Sequence, residues 1–390
     1  LRAARQQEYS QFQPESESIM MAATPASPPE ARQAATSGRL PQPRNPAPIM
    51  STTASADIDQ LLLQSRELAF ANPQDALRLA QQAAQQAEQG RAYRELIAAQ
   101  IQVMGLLFNL GNLHEGGEWL MKALTVAETH DLHPEHGYLL VQLGILHYTL
   151  GENEEALDYW TDCLDYSNPL FSNAARINAH IGTGQIYYAY GQYADALRHH
   201  HQARALLRAD IAADLRAAVL INLAADCNQL DDFAGMAEAL DEAERITRAS
   251  GHLNYLGEVC YYQTLLALAR NDPATASRYA AEGASMRNIC VWSEISNLIA
   301  QAQIRRLAGD SAGALQILLT ALERSEATRC DHHLFLVYRQ VAALCHELGD
   351  FTQSAHYHRL YQEQSQKVTT ASVLAKLAIL EAKLHAQNKP

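Results

Sequence analysis

The chain has 390 residues, of which 48% are hydrophobic but only 7% aromatic, and its formal net charge is −13. Ala, Leu and Gln dominate while Val-Ile-Thr strand runs are missing, which favours helix throughout. An acidic chain with no Lys/Arg cluster argues against nucleic acid as a partner, since phosphate contacts need basic side chains. No stretch approaches the ~18 apolar residues of a membrane span, so no membrane role is expected.

Residues 1–55 hold eight of the thirteen prolines, with Ser, Ala, Gln and Thr between them. Such a segment buries too little apolar surface to offset its ordering entropy, so a disordered tail is expected. The sequence begins at Leu1, and Met20, Met21 and Met50 are the candidate starts. Met50 is the most natural, because Asp57 stands where it can cap the next helix. Residues 1–49 are then expected to be foreign to the native protein. No basic start followed by an apolar core is present, so no secretion signal is expected. The six cysteines (Cys163, Cys227, Cys260, Cys290, Cys330 and Cys345) form no Cys-x-x-Cys pair. They read as reduced thiols of a cytoplasmic chain.

From Asp57 onward the chain repeats itself. Turns between paired helices are expected at Ala71, Gly111, Gly151, Gly191, Asp231, Asn271, Gly309 and Gly349, forty residues apart except for one step of thirty-eight. Gly, Asp and Asn tolerate the left-handed backbone that ends a helix. Five residues after the turns come Ala76, Gly116, Ala156, Ala196, Met236, Ala276, Ala314 and Ser354, nearly all small, as close helix crossings require. Twelve residues after them come Ala83, Ala123, Cys163, Ala203, Ala243, Gly283, Ala321 and Tyr361. Eight helical hairpins are therefore predicted over 57–363. Pro73, Pro134, Pro169 and Pro273 fall at helix starts or junctions.

The stretch "LGILHYTLGENEEALDYWTDCL" carries Leu143, Gly144, Gly151, Ala156 and Trp160, and "GTGQIYYAYGQYADALRHHHQA" carries Gly184, Tyr187, Gly191, Tyr193, Ala196 and Ala203. This pattern resembles the tetratricopeptide repeat, in the long, ~40-residue form found in kinesin light chains, Pins-type adaptors and the sensory halves of bacterial GGDEF (diguanylate cyclase) proteins. The resemblance implies an all-α, right-handed superhelix (an α-solenoid) and a protein-interaction scaffold or adaptor without catalysis or cofactor. One hairpin cannot bury its apolar face alone, and stacked hairpins can.

In this family the first helix of each hairpin lines a concave groove that takes a peptide or protein segment. Carried over, that implies a groove built from Gln102 in unit two and from Tyr138, Gln142 and Tyr148 in unit three. Unit four would add Asn178, Gln185 and Tyr188, and unit five Asn222 and Asn228. Unit six would add Glu258, Tyr261 and Tyr262, and the last two units Gln303, Arg306, Arg339 and Gln340. Amides recur nine residues before the turn, at Gln102, Gln142, Asn222 and Gln340. A carboxamide both donates and accepts, so such a ladder suits an extended peptide backbone. The plain alternative is a set of solvated polar residues on an open helix face.

Two motifs point elsewhere and are weighed against the frame. Glu155-Ala156-Leu157 spells the tripeptide of a cyclic-dinucleotide phosphodiesterase, yet Ala156 is the small crossing residue of unit three. No strand-rich barrel with metal-binding carboxylates surrounds it. His199, His200 and His201, and Cys330, Asp331, His332 and His333, match no zinc-finger spacing, and consecutive residues on a helix point apart. No metal is expected.

The final segment, 365–388, places Val373, Leu377, Leu380 and Leu384 four, three and four apart. A helix that caps the last hairpin is expected, or else a signalling helix. The second reading makes the chain the sensory region of a diguanylate cyclase whose GGDEF output domain is absent from this sequence, and predicts a homodimer through that helix.

Overall fold

The computed structural model describes residues 52–387, except 70, 111, 288, 329 and 330. Residues 1–51 of the expected tail, the turn residue Gly111 and Cys330 lie outside the described residues, as do the side chains of His332 and His333, whereas residues 52–55 of that tail are already helical and Asp57 lies inside the helix instead of capping it. The described residues hold seventeen α-helices and no strand. They form two compact units, divided between Leu139 and Leu140 inside the fifth helix.

The first unit contains α1 (Thr52–Leu68), α2 (Pro73–Gly90), α3 (Tyr93–Asn109), α4 (Leu113–Thr129) and the start of α5 (His133–Thr149). Its core joins Ile58, Leu62, Ala83, Ala87 and Leu96, and beside them Ala76, Ala80, Val103, Leu106 and Leu107. The second unit takes the rest of α5, then α6 (Asn153–Cys163), α7 (Asn173–Ala189), α8 (Tyr193–Ala205), α9 (Ala213–Gln229) and α10 (Phe233–Ser250). It continues with α11 (Leu253–Ala269), α12 (Pro273–Ser285), α13 (Val291–Leu307), α14 (Ser311–Thr328), α15 (Asp331–Glu347), α16 (Phe351–Val368) and α17 (Ala371–Gln387). Helices α1 to α16 are the eight hairpins of the repeat. Every first helix is 17 residues long. The second helices vary, and α6 is cut to 11.

The turn chemistry explains the pairing. Gly151, Gly191, Asp231, Asn271, Gly309 and Gly349 have positive φ, as the frame predicts. The residue that follows the turn then caps the second helix. Asn72, Asp232, Asp272, Asp310 and Asp350 each accept a backbone N–H three residues on. A second left-handed series stands between hairpins, at Arg91, Asp131 and Gly251. There the next residue's N–H reaches back to Ala87, Ala127 and Thr247, a Schellman closure of the second helix.

The small residues sit where helices cross. Ala76, Ala156, Ala196, Met236, Ala276 and Ala314 are fully buried, as are Ala83, Ala123, Cys163, Ala203, Ala243 and Ala321. Ala156 and Leu157 of the tripeptide are core residues, and only Glu155 faces water. The Trp160 ring lies between Gly144 and Gly182, where any Cβ would overlap it. His200 packs on Gly184 in the same way.

Helix α17 does not rest on the last hairpin. It packs against α6, the second helix of unit three. Val373, Leu377, Leu380 and Leu384 are buried there, at 2, 2, 1 and 5% exposure.

Candidate functional site

The first helices place the implied groove residues as follows. In the first compact unit, Gln102 is buried and donates Nε2 to Ser65 Oγ at 3.5 Å, while Tyr138 is half-buried. In the second unit, three of the residues meet. Tyr148, Asn178 and Gln185 line one cavity with Thr149, Trp160 and Gly182, about 10 Å³ in volume and so fit for a single water rather than a ligand. From there a polar seam runs across units. Gln185 Nε2 donates to Asn222 Oδ1 at 3.2 Å, and Asn222 Nδ2 donates to the Ala218 carbonyl at 2.9 Å. Gln229 Nε2 donates to Tyr188 Oη at 2.9 Å, and Tyr188 meets Tyr193 edge-on at 5.0 Å. Tyr148 leans on Trp160 at 5.8 Å.

Most of these groups are therefore buried inter-helix contacts rather than a solvated ladder. Gln142, Gln185, Tyr188, Asn222, Tyr261 and Tyr262 are all buried. Tyr261 and Tyr262 meet edge to face at 4.8 Å. Asn178, Asn228, Gln303, Arg339 and Gln340 are half-buried and present polar surface, and Asn178 also holds the Ala174 carbonyl at 2.9 Å. Arg306 is tied to Glu347. Gln142 Oε1 is buried without a hydrogen-bond partner. A buried acceptor of this kind costs free energy unless a donor reaches it.

Glu258 is the most perturbed acid of the set. It is 2% exposed, and its Oε1 has no hydrogen-bond partner. Burial holds its carboxyl well above the ordinary 4.5, although the Trp292 side chain donates to it. The folded chain thus keeps this proton where the unfolded chain has lost it, so stability falls as pH climbs past about 4.5. Glu258→Gln is expected to raise thermal stability at neutral pH, by a margin that widens between pH 5 and 8. Melting curves across that range check it, and a margin that stays constant or shrinks would contradict it.

A second constellation was invisible in the sequence pattern. Glu381 of α17 accepts from His199 Nε2 at 2.8 Å, Tyr187 Oη at 3.2 Å, and both terminal nitrogens of Arg198 at 3.1 Å. Burial pushes the Glu381 carboxyl up, but the hydrogen bonds from His199 and Arg198 outweigh it and hold the group near 2. Behind it, His180 Nδ1 meets His199 Nδ1 at 3.1 Å, and Tyr166 Oη meets His180 Nε2 at 2.9 Å. Burial holds both imidazoles below their ordinary range. One proton bridges the two Nδ1 atoms, so the rings cannot both be imidazolium. The partners stand about 180 residues apart in the chain, and neither period nor motif links them.

Among the described residues, no three His, Cys, Asp or Glu side chains are grouped to hold a metal ion. No helix there is long and apolar enough to cross a membrane.

No protein-family model matches the sequence, and no curated protein is significantly similar to it. Solved structures are similar in fold. Aspartyl phosphate phosphatase F from Bacillus subtilis superposes with a TM-score of 0.52 at 13% identity, covering 84% of this chain and 98% of that one. A Rap protein complexed with competence and sporulation factor gives 0.50 at 13% identity, covering 82% and 77%. The APC/C hetero-tetramer Cut9–Hcn1 gives 0.50 at 13% identity, covering 85% and 57%. Helix content, hairpin pairing and these likenesses together make the chain an all-α helical-repeat solenoid of the tetratricopeptide type.

Proposed function

We propose that the chain is an interaction adaptor in bacterial regulation that holds a peptide or protein segment along its first helices. Asn178 and Asn228 present the polar surface of that face, and Gln185, Tyr188 and Asn222 are buried behind it. The observation that carries the reading is the polar seam from Tyr148 and Asn178 through Gln185 to Asn222, with Tyr188 and Gln229 beside it. It ties the first helices of successive units into a rigid support before any partner arrives, and a preorganised surface loses little entropy on binding. The half-buried Asn178 and Asn228 then offer donors and acceptors to an extended backbone. The similar Rap protein was solved complexed with competence and sporulation factor.

Tyr188 and Asn222 are too deeply buried for a clean test, since their loss would also loosen the fold. The informative variant is Asn178→Arg with Asn228→Arg, which places bulk and charge on the face. Partners captured from a lysate by the parent chain are expected to fall at least tenfold with this variant. Undiminished capture by a variant of unchanged helical circular dichroism would refute the face.

A further inference from the structure

The contact made by α17 differs from an ordinary helix-on-core packing. Its apolar stripe is sealed, and beside it stand polar fastenings, two ion pairs through Arg198 and Lys376 together with hydrogen bonds, of which the Glu381–His199 contact is buried. Glu381 is gripped by Tyr187, Arg198 and His199. Lys376 Nζ reaches Asp158 Oδ2 at 2.7 Å and the Glu154 carbonyl at 3.0 Å. Tyr190 Oη donates to the Thr370 carbonyl at 2.9 Å and accepts the Thr370 N–H at 2.6 Å. Every one of these partners belongs to units three and four, and only Thr369 and Thr370 separate α17 from α16.

Such fastenings select one helix over another more than they add stability. Without α17, Arg198 and Lys376's partner Asp158 would return to water, where both are comfortable. Asp158 is already exposed and Arg198 half-buried. The bed uses second helices α6 and α8 and the end of α7, so it leaves the first-helix residues Asn178, Gln185 and Asn222 uncovered by the same contacts.

We propose that the surface formed by α6, the C-terminal end of α7 and α8 is a helix-binding site, and that α17 is its resident intrachain ligand. The site takes an amphipathic helix with apolar residues four, three and four apart, a Lys before the second of them and a Glu after the third. A partner helix of that chemistry, supplied in trans, replaces α17. The tether gives α17 an effective concentration on the order of millimolar, so the site stays closed until its own helix is weakened or outcompeted.

The test uses the full chain and a fluorescent peptide of residues 369–387. Leu377→Asp with Glu381→Ala in the chain disables the resident helix. That variant is expected to bind the peptide at least tenfold more tightly than the parent chain, and a peptide carrying Glu381→Ala is expected to lose at least tenfold. A folded variant that binds no better than the parent, or that accepts both peptides equally, overturns the proposal. Should the variant fail to fold, amide exchange on the parent chain decides. Exchange of α17 at least tenfold ahead of α7 and α8 supports an exchangeable ligand, and exchange in step with them overturns it.

Discussion

Trp160→Ala is expected to cost about 3–5 kcal/mol. The ring is 1% exposed and is clasped by Gly144 in the same hairpin and Gly182 in the next. Truncation leaves a slot whose walls are two helix backbones, which cannot collapse as side chains can. The converse change, Gly182→Ala, puts a methyl group into the ring itself and is expected to cost about 1–3 kcal/mol by overpacking. Chemical denaturation of the two variants checks both values. A loss under about 1 kcal/mol for Trp160→Ala would mean that units three and four are not locked by this ring.

The second large effect concerns His200 and Asp226, which are almost fully enclosed. His200 Nε2 donates to the Ile181 carbonyl at 3.2 Å, and its Nδ1 is hydrogen-bonded to Asp226 Oδ2. Asp226 Oδ1 has no hydrogen-bond partner, and burial raises the Asp226 carboxyl. His200→Ala therefore strands a carboxyl in the core and is expected to cost about 3–5 kcal/mol. In an Asp226→Ala background the same change should cost about 2 kcal/mol less, because nothing is left to strand. A double-mutant cycle with no coupling would show that the pair acts only by filling space.

The hairpin frame was legible because Gly and Asp mark turns in a fixed period and because crossing helices admit only small side chains. Gly151, Asp231 and Ala156 carry that message in one dimension. The joint at Arg91 was not legible, since Arg does not advertise a left-handed backbone as Gly or Asp does. The implied groove was read as a set of spacings, and spacing alone does not tell how deep a side chain sits. Gln185 and Asn222 face one another inside the stack because the first helices α7 and α9 contact each other. The seat of α17 was beyond reach for a different reason. Its stripe shows that the helix must be covered, but the cover is Asp158, Arg198 and His199, far back in the chain.

A row of repeats normally unravels from its ends, since each unit leans only on its neighbours. The hydrogen bonds of Ser372 and Lys376 to Glu154 remove one of those ends from the second compact unit. Unit eight cannot fray by itself while α17 remains fastened to unit three. Melting there becomes a concerted event instead of a zipper, because the last hairpin is tied to one five units back in the chain.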